Sequence, residues 1–349
     1  MSKIIKLKDK FLGGGNPVLI QSMLNVPLTD TDNAIRQAVA LEEAGCEVVR
    51  ASIPTKEAAM KIPEIISRIT IPFVADIHFD HRLAILSAEK GVDKVRINPG
   101  NIGGKDRVKE VVKSLKDHGI PARIGVNAGS LEKDLLEKYG RPTAEAMVES
   151  AERHIDMFRE FDFENIAVSL KSSDTKMTID ANRLFAEKFD YPIHLGVTEA
   201  GFGESAMIKS AVGIGTLLID GIGDTVRVSL TGSPIPEVDA AKEILKACGK
   251  LNEGIQIISC PTCARCKTDT LSIVKEIKEL TKHIKTPLSV AVMGCFVNGP
   301  GEASQADVGI ACGREQGKLF EKGVITRTVR KDDYTKVLLE RIMEMTGGK

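Results

Sequence analysis

The chain has no dominant charge: its 349 residues carry 48 Lys and Arg against 48 Asp and Glu. No global field draws it to nucleic acid or to an acidic membrane, so an anionic ligand must be held by a local cluster of charge. Long apolar runs are also missing. Nowhere do about eighteen apolar residues follow one another, so no segment is read as membrane-spanning. The opening stretch "MSKIIKLKDKFLGGGNP" has neither the apolar core nor the small-residue cleavage site of a secretion signal. A disulfide framework is absent too, because seven Cys in a chain this long are few and odd in number. We therefore expect a cytosolic protein, where thiols stay reduced and clustered Cys serve metal or redox chemistry. There is no low-complexity segment.

What is present is a rhythm. Short apolar runs alternate with longer helical patterns up to about Ser233: "VLIQSM" (18–23), "EVVRASI" (47–53), "FVADIH" (73–78), "KVRINP" (94–99), "ARIGVN" (122–127), "NIAVSL" (165–170), "HLGVTE" (194–199) and "TVRVSL" (225–230). Between them, patterns such as "TDNAIRQAVALEEAG" and "RVKEVVKSLKDHG" repeat apolar residues at three and four and end in Gly, a common helix C-cap. Eight strand-then-helix repeats predict a parallel sheet closed as a TIM-type (β/α)8 barrel, with "PEVDAAKEILKACGK" as the eighth helix. An open doubly wound sheet is the alternative, and the lack of G-x-G-x-x-G after the first strand weakens it. After Lys250 the rhythm changes to a mixed pattern with strands at "IQIISC", "LSVAVMG" and "GVITRTV" and helices at "LSIVKEIKELTKHI" and "KDDYTKVLLERIMEM". The boundaries are read as a barrel over 1–252 and a smaller α+β domain over 253–349.

Barrel strands send alternate side chains inward, usually Val, Ile and Leu. Here polar residues recur two or four apart near the strand C-termini: Asp76 with His78, Arg96 with Asn98, Arg123 with Asn127, Ser169 with Lys171, and Arg227 with Ser229. Each pair shares one face because strands alternate with period two. Arg50 lies late in the second strand and Glu199 ends the seventh. Buried unpaired guanidinium is costly, so this set needs anionic partners, and Asp76 and Glu199 neutralise at most two of its members. A diphosphate, which Arg binds bidentately, is the natural ligand. The competing interpretation turns individual Arg residues outward to pair with helix carboxylates.

The stretch "SCPTCARCKTDTLS" places Cys260, Cys263 and Cys266 within seven residues. Zinc would require further Cys or His nearby, and His283 is mid-helix. A redox dithiol belongs beside a βαβ unit and leaves Cys266 without a role. Iron–sulfur ligation accepts C-x-x-C with Pro beside it and a distant Cys, here Cys295 or Cys312. Spacing alone leaves Cys266 and Cys295 as rival third ligands. Cys46 and Cys248 are read as inert core thiols.

"SCPTC" followed by "MGCFVNGPGEA" resembles the 4-hydroxy-3-methylbut-2-enyl diphosphate synthases of the non-mevalonate isoprenoid pathway. The resemblance spans the chain, with "PVLIQSM", "VADIHFD", "VRINPGN", "RIGVNAGSL", "LKSSD", "HLGVTEAG" and "LLIDGIGDTVRVSLTG" in order. It implies a barrel that binds 2-C-methyl-D-erythritol 2,4-cyclodiphosphate and a smaller domain carrying a 4Fe–4S cluster. It assigns Cys260, Cys263, Cys295 and the Glu302 carboxylate as cluster ligands. It also implies substrate contacts from Arg50, Arg96, Asn98, Arg123, Asn127, Lys171, Arg227 and Ser229, with Glu199 as an acid. Asp76 and His78 join that set by strand parity. A flavodoxin or ferredoxin would deliver the electrons, and a head-to-tail homodimer is implied. The chain departs from the family pattern at Leu24, where Thr is usual, at Cys266, which is extra, and at Cys312, where Gly is common. The alternatives are a pterin-type barrel enzyme with a structural metal module and a non-catalytic electron-transfer protein.

Overall fold

A computed structural model describes residues 1–296 and 303–347. The chain divides into two compact units, Met1–Leu251 and Asn252–Lys349. Among the described residues no helix is long and apolar enough to cross a membrane.

The first unit opens with a two-stranded hairpin, β1 (Ile5–Leu7) and β2 (Lys10–Leu12), which the βα rhythm did not foretell. Eight parallel strands follow: β3 (Leu19–Met23), β4 (Val48–Ser52), β5 (Phe73–Asp76), β6 (Lys94–Ile97), β7 (Ala122–Asn127), β8 (Ile166–Lys171), β9 (His194–Leu195) and β10 (Thr225–Val226). They pair in the order β8-β7-β6-β5-β4-β3-β10-β9. A parallel bridge between Val168 and Ile193 joins the two ends, so the sheet closes into the expected barrel. The outward faces meet helices such as Gly104–His118 and Ala144–Arg159 in one apolar core. Asp80, Thr143 and Asp174 cap their helices by accepting backbone N–H groups, which fixes where each helix begins after its strand. Inside the barrel, the hairpin residues Ile5, Leu7 and Leu12 pack with Leu19, Val48, Val74 and Ala167 into a separate apolar plug at the N-terminal end of the strands.

β9 and β10 are shorter than their apolar runs suggested. Pairing persists irregularly, since the Arg227 N–H still donates to the Leu195 carbonyl at 3.0 Å. Gly196 explains the departure: a Cβ there would lie 2.6 Å from both the Arg227 carbonyl oxygen and Lys171 Nζ. Gly125 does the same for Arg96, whose Nε would be 2.5 Å from an added Cβ. Both glycines make room for cationic side chains that cross the barrel.

The second unit is a five-stranded sheet in the order β11 (Ile255–Ser259), β12 (Leu288–Met293), β13 (Val308–Ala311), β14 (Gln316–Glu321), β15 (Val324–Arg330). The first three strands are parallel and the last two antiparallel. Helix Thr270–Thr281 makes the crossover from β11 to β12. Its Ile273 and Ile277 share a core with Val290, Val292, Ile310 and, from the C-terminal helix Tyr334–Thr346, Leu338 and Ile342. β13 lies in a stretch, 294–313, where the sequence pattern shows no strand; its four residues are buried on both faces and show no alternation.

Candidate functional site: a cationic barrel mouth and a thiol-bearing loop pair

Strand parity brings the polar residues to one end of the barrel. A cavity of about 140 Å³ is lined by Arg50, Asp76, His78, Arg96, Arg123, Asn127, Ser169, Lys171, Thr198, Arg227 and Ser229. Asp76 sits between two cations, with Arg96 Nη1 at 3.1 Å and Arg50 Nε at 3.6 Å. Burial opposes its charge, but Arg50, Arg96 and Arg123 outweigh that and hold its pKa at about 2. Arg50 also donates to Met23 Sδ at 2.9 Å. Burial lowers its pKa to about 10, against the pull of Asp76.

Arg227 bears out part of the competing interpretation. It pairs with a helix carboxylate, Glu237, which accepts from Arg227 Nη2 at 3.2 Å and from Nε at 3.3 Å. Glu237 is nevertheless buried and also accepts from Ser22 Oγ at 3.0 Å, so the pair lies within the fold while Arg227 still lines the cavity. Glu237 was missed because it stands in the first turn of helix Ile235–Ala247, where a carboxylate usually faces water and favours the helix dipole.

Arg123 has no such partner. It is 1% exposed, and among the described residues neither its Nε and Nη1 nor Nε of Arg96 has a hydrogen-bond partner. Burial, with Arg50 and Arg96 nearby, pushes Arg123 well below its ordinary pKa. Lys171 is likewise driven well down, by burial first and then by Arg123 and Arg50. Lined up around one cavity, unpaired donors of this kind fit an anion with several oxygens.

Two expected members stand apart. Asn98 is buried but turns its Oδ1 to the Gly100 N–H at 3.1 Å, capping the short helix Pro99–Ile102, and does not line the cavity. Glu199 is exposed and adopts a left-handed φ of 52°, while its neighbour Thr198 reaches the cavity instead. Residues absent from the sequence reading include Lys94, Gln21 and His194, all buried inside the barrel.

In the second unit the thiols gather at the C-terminal ends of parallel strands. Cys260 follows β11, Cys295 follows β12 by two residues, and Cys312 follows β13. The first two loops are tied together: the Gly294 N–H donates to Cys260 Sγ at 3.1 Å, and the Lys267 N–H donates to the Gly294 carbonyl at 3.0 Å. Cys263 is exposed, and hydrogen bonds from the Arg265 backbone and side chain lower its thiol pKa. Cys266 instead donates its thiol to the Thr268 carbonyl at 3.0 Å, within its own loop. Cys312 is fully buried in the apolar core, and burial pushes its pKa to about 12. Cys46 is buried in the same way, also at about 12. Among the described residues no three His, Cys, Asp or Glu side chains converge on a metal position, and Glu302 lies outside those residues. The donor chemistry, four half-buried or exposed thiols on two tied loops of which Cys266 is engaged within its own loop, suits a soft metal or an iron–sulfur cluster.

Comparison with known proteins covers both units. A model of the GcpE TIM-barrel domain matches residues 2–242, and one of the GcpE protein C-terminal domain matches residues 256–344. A relative from Caldanaerobacter subterraneus subsp. tengcongensis, named 4-hydroxy-3-methylbut-2-en-1-yl diphosphate synthase (flavodoxin), is 52% identical over 345 residues, 99% of this chain and 97% of the relative. A relative of the same name from Thermodesulfovibrio yellowstonii is 53% identical over 331 residues, 95% of each chain. Among solved structures, Yersinia pestis dihydropteroate synthase aligns with a TM-score of 0.51 at 12% identity, covering 71% of this chain and all of that one. N-acetylneuraminic acid synthetase from Leptospira borgpetersenii aligns at 0.50 and 15% identity, covering 80% of this chain and 96% of that one. At such identities the likeness is one of fold.

Proposed function

The chain belongs to the GcpE family, and on that premise we propose that it opens and dehydrates 2-C-methyl-D-erythritol 2,4-cyclodiphosphate to 4-hydroxy-3-methylbut-2-enyl diphosphate. Two electrons enter one at a time from a flavodoxin-class donor, as the names of the relatives suggest. The observation that carries this reading is the barrel cavity, where the unpartnered donors of Arg96 and Arg123 stand beside Lys171 and Arg50. Such a cavity favours a compact polyanion.

The barrel, residues 1–252, holds the substrate. Arg96 and Arg123 grip the diphosphate oxygens, Lys171 and Arg50 add charge, and Asn127 and Ser229 donate or accept at the remaining polar positions. His78, at the cavity rim 3.9 Å from Asp76, orients a phosphate oxygen or hydroxyl. Asn98 acts at one remove by shaping the loop after β6. Glu199 delivers a proton to the departing hydroxyl, which requires its loop to turn toward the cavity. Residues 253–349 carry a 4Fe–4S cluster held by Cys260, Cys263, Cys295 and Glu302. When bound, that cluster supplies single electrons and an iron able to act as a Lewis acid on a substrate oxygen. The hydrogen bonds from Arg265 that lower the Cys263 thiol pKa favour the thiolate that iron needs. The reaction belongs in the cytoplasm, where these thiols stay reduced.

The reading extends to a head-to-tail homodimer in which each C-terminal unit completes the partner's barrel. One assay addresses both parts. Anaerobically reconstituted protein with reduced flavodoxin is expected to convert the cyclodiphosphate, and a mixture of Lys171→Ala and Cys260→Ser chains is expected to regain activity on subunit exchange. No product from the iron-loaded wild type would refute the activity. An inactive mixture with heterodimer verified would refute the shared site.

A further inference from the structure

Between the apolar plug and the guanidinium layer lies a band of buried polar side chains that the proposed reaction does not use. Lys94, on β6, is the inward position before Arg96 and is 0% exposed, and its Nζ has no hydrogen-bond partner. Gln21 on β3 leaves both amide atoms unpartnered. His194 on β9 bonds through Nδ1 to Thr225 Oγ1 at 2.7 Å and leaves Nε2 without a partner.

The charged surroundings of Lys94 are cationic. Arg123 from β7 and Arg50 from β4 both act on it. Asp76, on the neighbouring β5, is already engaged by Arg50 and Arg96. Glu237 is engaged by Arg227. His194 is held neutral by its burial first, and then by Lys171, Arg123 and Arg50. From the hairpin only the apolar Ile5, Leu7 and Leu12 enter the plug below. A buried ammonium with no paired carboxylate and no hydrogen bond is strongly disfavoured, and the group gives up its proton instead.

We propose that Lys94 is the proton-accepting floor of the diphosphate site, taking up a proton from solvent when a polyanion enters the layer above it. The inference rests on the diphosphate reading of the cavity and deepens it. Burial, reinforced by Arg123 and Arg50, places the Lys94 pKa at about 7. One negative charge a layer away, at an effective dielectric of about 20, raises such a value by roughly one to two units, and a diphosphate brings at least two charges. The incoming charge is met by an ammonium formed on binding, so the fold need not hold this further cation among Arg50, Arg96 and Arg123 beforehand. His194, close enough to Lys94 for their charges to interact, keeps an unpartnered Nε2 in this band as an acceptor for a new N–H.

The test is calorimetric titration of anaerobic holoenzyme with the cyclodiphosphate, without reductant, in buffers of differing ionisation enthalpy. The slope of apparent enthalpy against buffer enthalpy counts protons. At pH 8, one unit above about 7, free Lys94 is roughly nine-tenths neutral. Lys94→Met and Lys94→Gln should therefore each lower the uptake at pH 8 by close to one proton, and by far less at pH 6. Lys171, also driven well down by burial, adds its own uptake in all three proteins, so the assignment is read from the difference between each variant and the wild type. A structural role alone would weaken binding without moving the count. Uptake unchanged in either variant that still binds would overturn the assignment. A wild type that fails to bind the cyclodiphosphate would instead overturn the reading of the cavity, and the inference with it.

Discussion

Arg123 is 1% exposed on the inner face of β7, whereas Cys263 is exposed on the loop after β11. The two units differ in the same way throughout. In the barrel, Arg50, Asp76, Arg96, Arg123, Ser169 and Lys171 stand on paired strands, so the ladder register fixes where each one points. Arg96 pairs across from Arg123, and Gly125 from Ser169. The cost is electrostatic, because Arg50, Arg96, Arg123, Lys171 and Arg227 are brought together against the buried carboxylates Asp76 and Glu237. In the C-terminal unit the buried strand positions are apolar, and the thiols follow the strands on loops held by contacts such as the Gly294 N–H to Cys260 Sγ. The barrel site is preorganised and strained by charge, while the thiols stand on loops rather than on paired strands. A ligand should therefore stabilise the first by neutralising it and the second by ordering it.

The largest effect that separates the two is loss of the metal site. Cys260→Ser should lose iron and sulfide after anaerobic reconstitution and lose detectable turnover, yet bind the cyclodiphosphate as the wild type does. Cys266→Ser should keep its iron, because that thiol is committed to the Thr268 carbonyl. Metal analysis showing the reverse pattern would move the ligand set to Cys266 and break the assignment.

The next effect lies in the barrel. Arg123→Met removes a cation whose Nε and Nη1 have no partner among the described residues. Affinity for the cyclodiphosphate should fall by about a hundredfold, a loss on the order of 3 kcal/mol for truncating one side of a buried charge pair. The ligand-free protein should melt at a higher temperature, since an uncompensated buried charge is gone. Iron content should not change. A lower melting temperature with intact affinity would make Arg123 a structural residue and erase the contrast between the units.

How much of this was legible differs by unit. The eight barrel strands each announced themselves as an apolar run, and period two placed Arg50, Asp76, Arg96, Arg123 and Lys171 on the inner face. The same parity joins Lys94 to Arg96, and Gln21 to Met23, but these lie nearer the strand N-termini, where a barrel interior is usually apolar. The hairpin plug was hidden because two three-residue strands leave almost no periodic signal. In the second unit β13 and β14 were masked by the surrounding glycines, whose role in close packing, such as Gly309 against Phe320, is visible only in three dimensions. The thiols were legible as a motif but not as a geometry, since loop conformation carries no period. Asn98 followed strand parity, yet its side chain was claimed by a local cap, a competition that Asn commonly enters at helix starts.

The smallest effect tests how finely the barrel positions its cations. Glu237 holds Arg227 through both carboxylate oxygens and also accepts from the Leu230 N–H at 3.0 Å and Ser22 Oγ at 3.0 Å. Glu237→Gln keeps the shape but replaces one acceptor with an NH2 group that faces a guanidinium. Arg227 stays in the cavity wall, still near Met23 Sδ at 3.7 Å, but loses its fixed orientation and gains effective positive charge. Those two changes oppose each other for an anionic ligand: looser geometry weakens a bidentate grip, while an unneutralised cation strengthens attraction. Geometry should win, because bidentate bonding depends on the guanidinium plane, and KM for the cyclodiphosphate should rise about three- to tenfold with kcat within about twofold. Raising the ionic strength separates the two terms, since it screens the added attraction and leaves the lost alignment, so the KM ratio between variant and wild type should widen with salt. A ratio of one at every salt concentration would mean that packing against Met23 alone orients Arg227, and that the barrel site owes its order to steric fit as well as to ladder register.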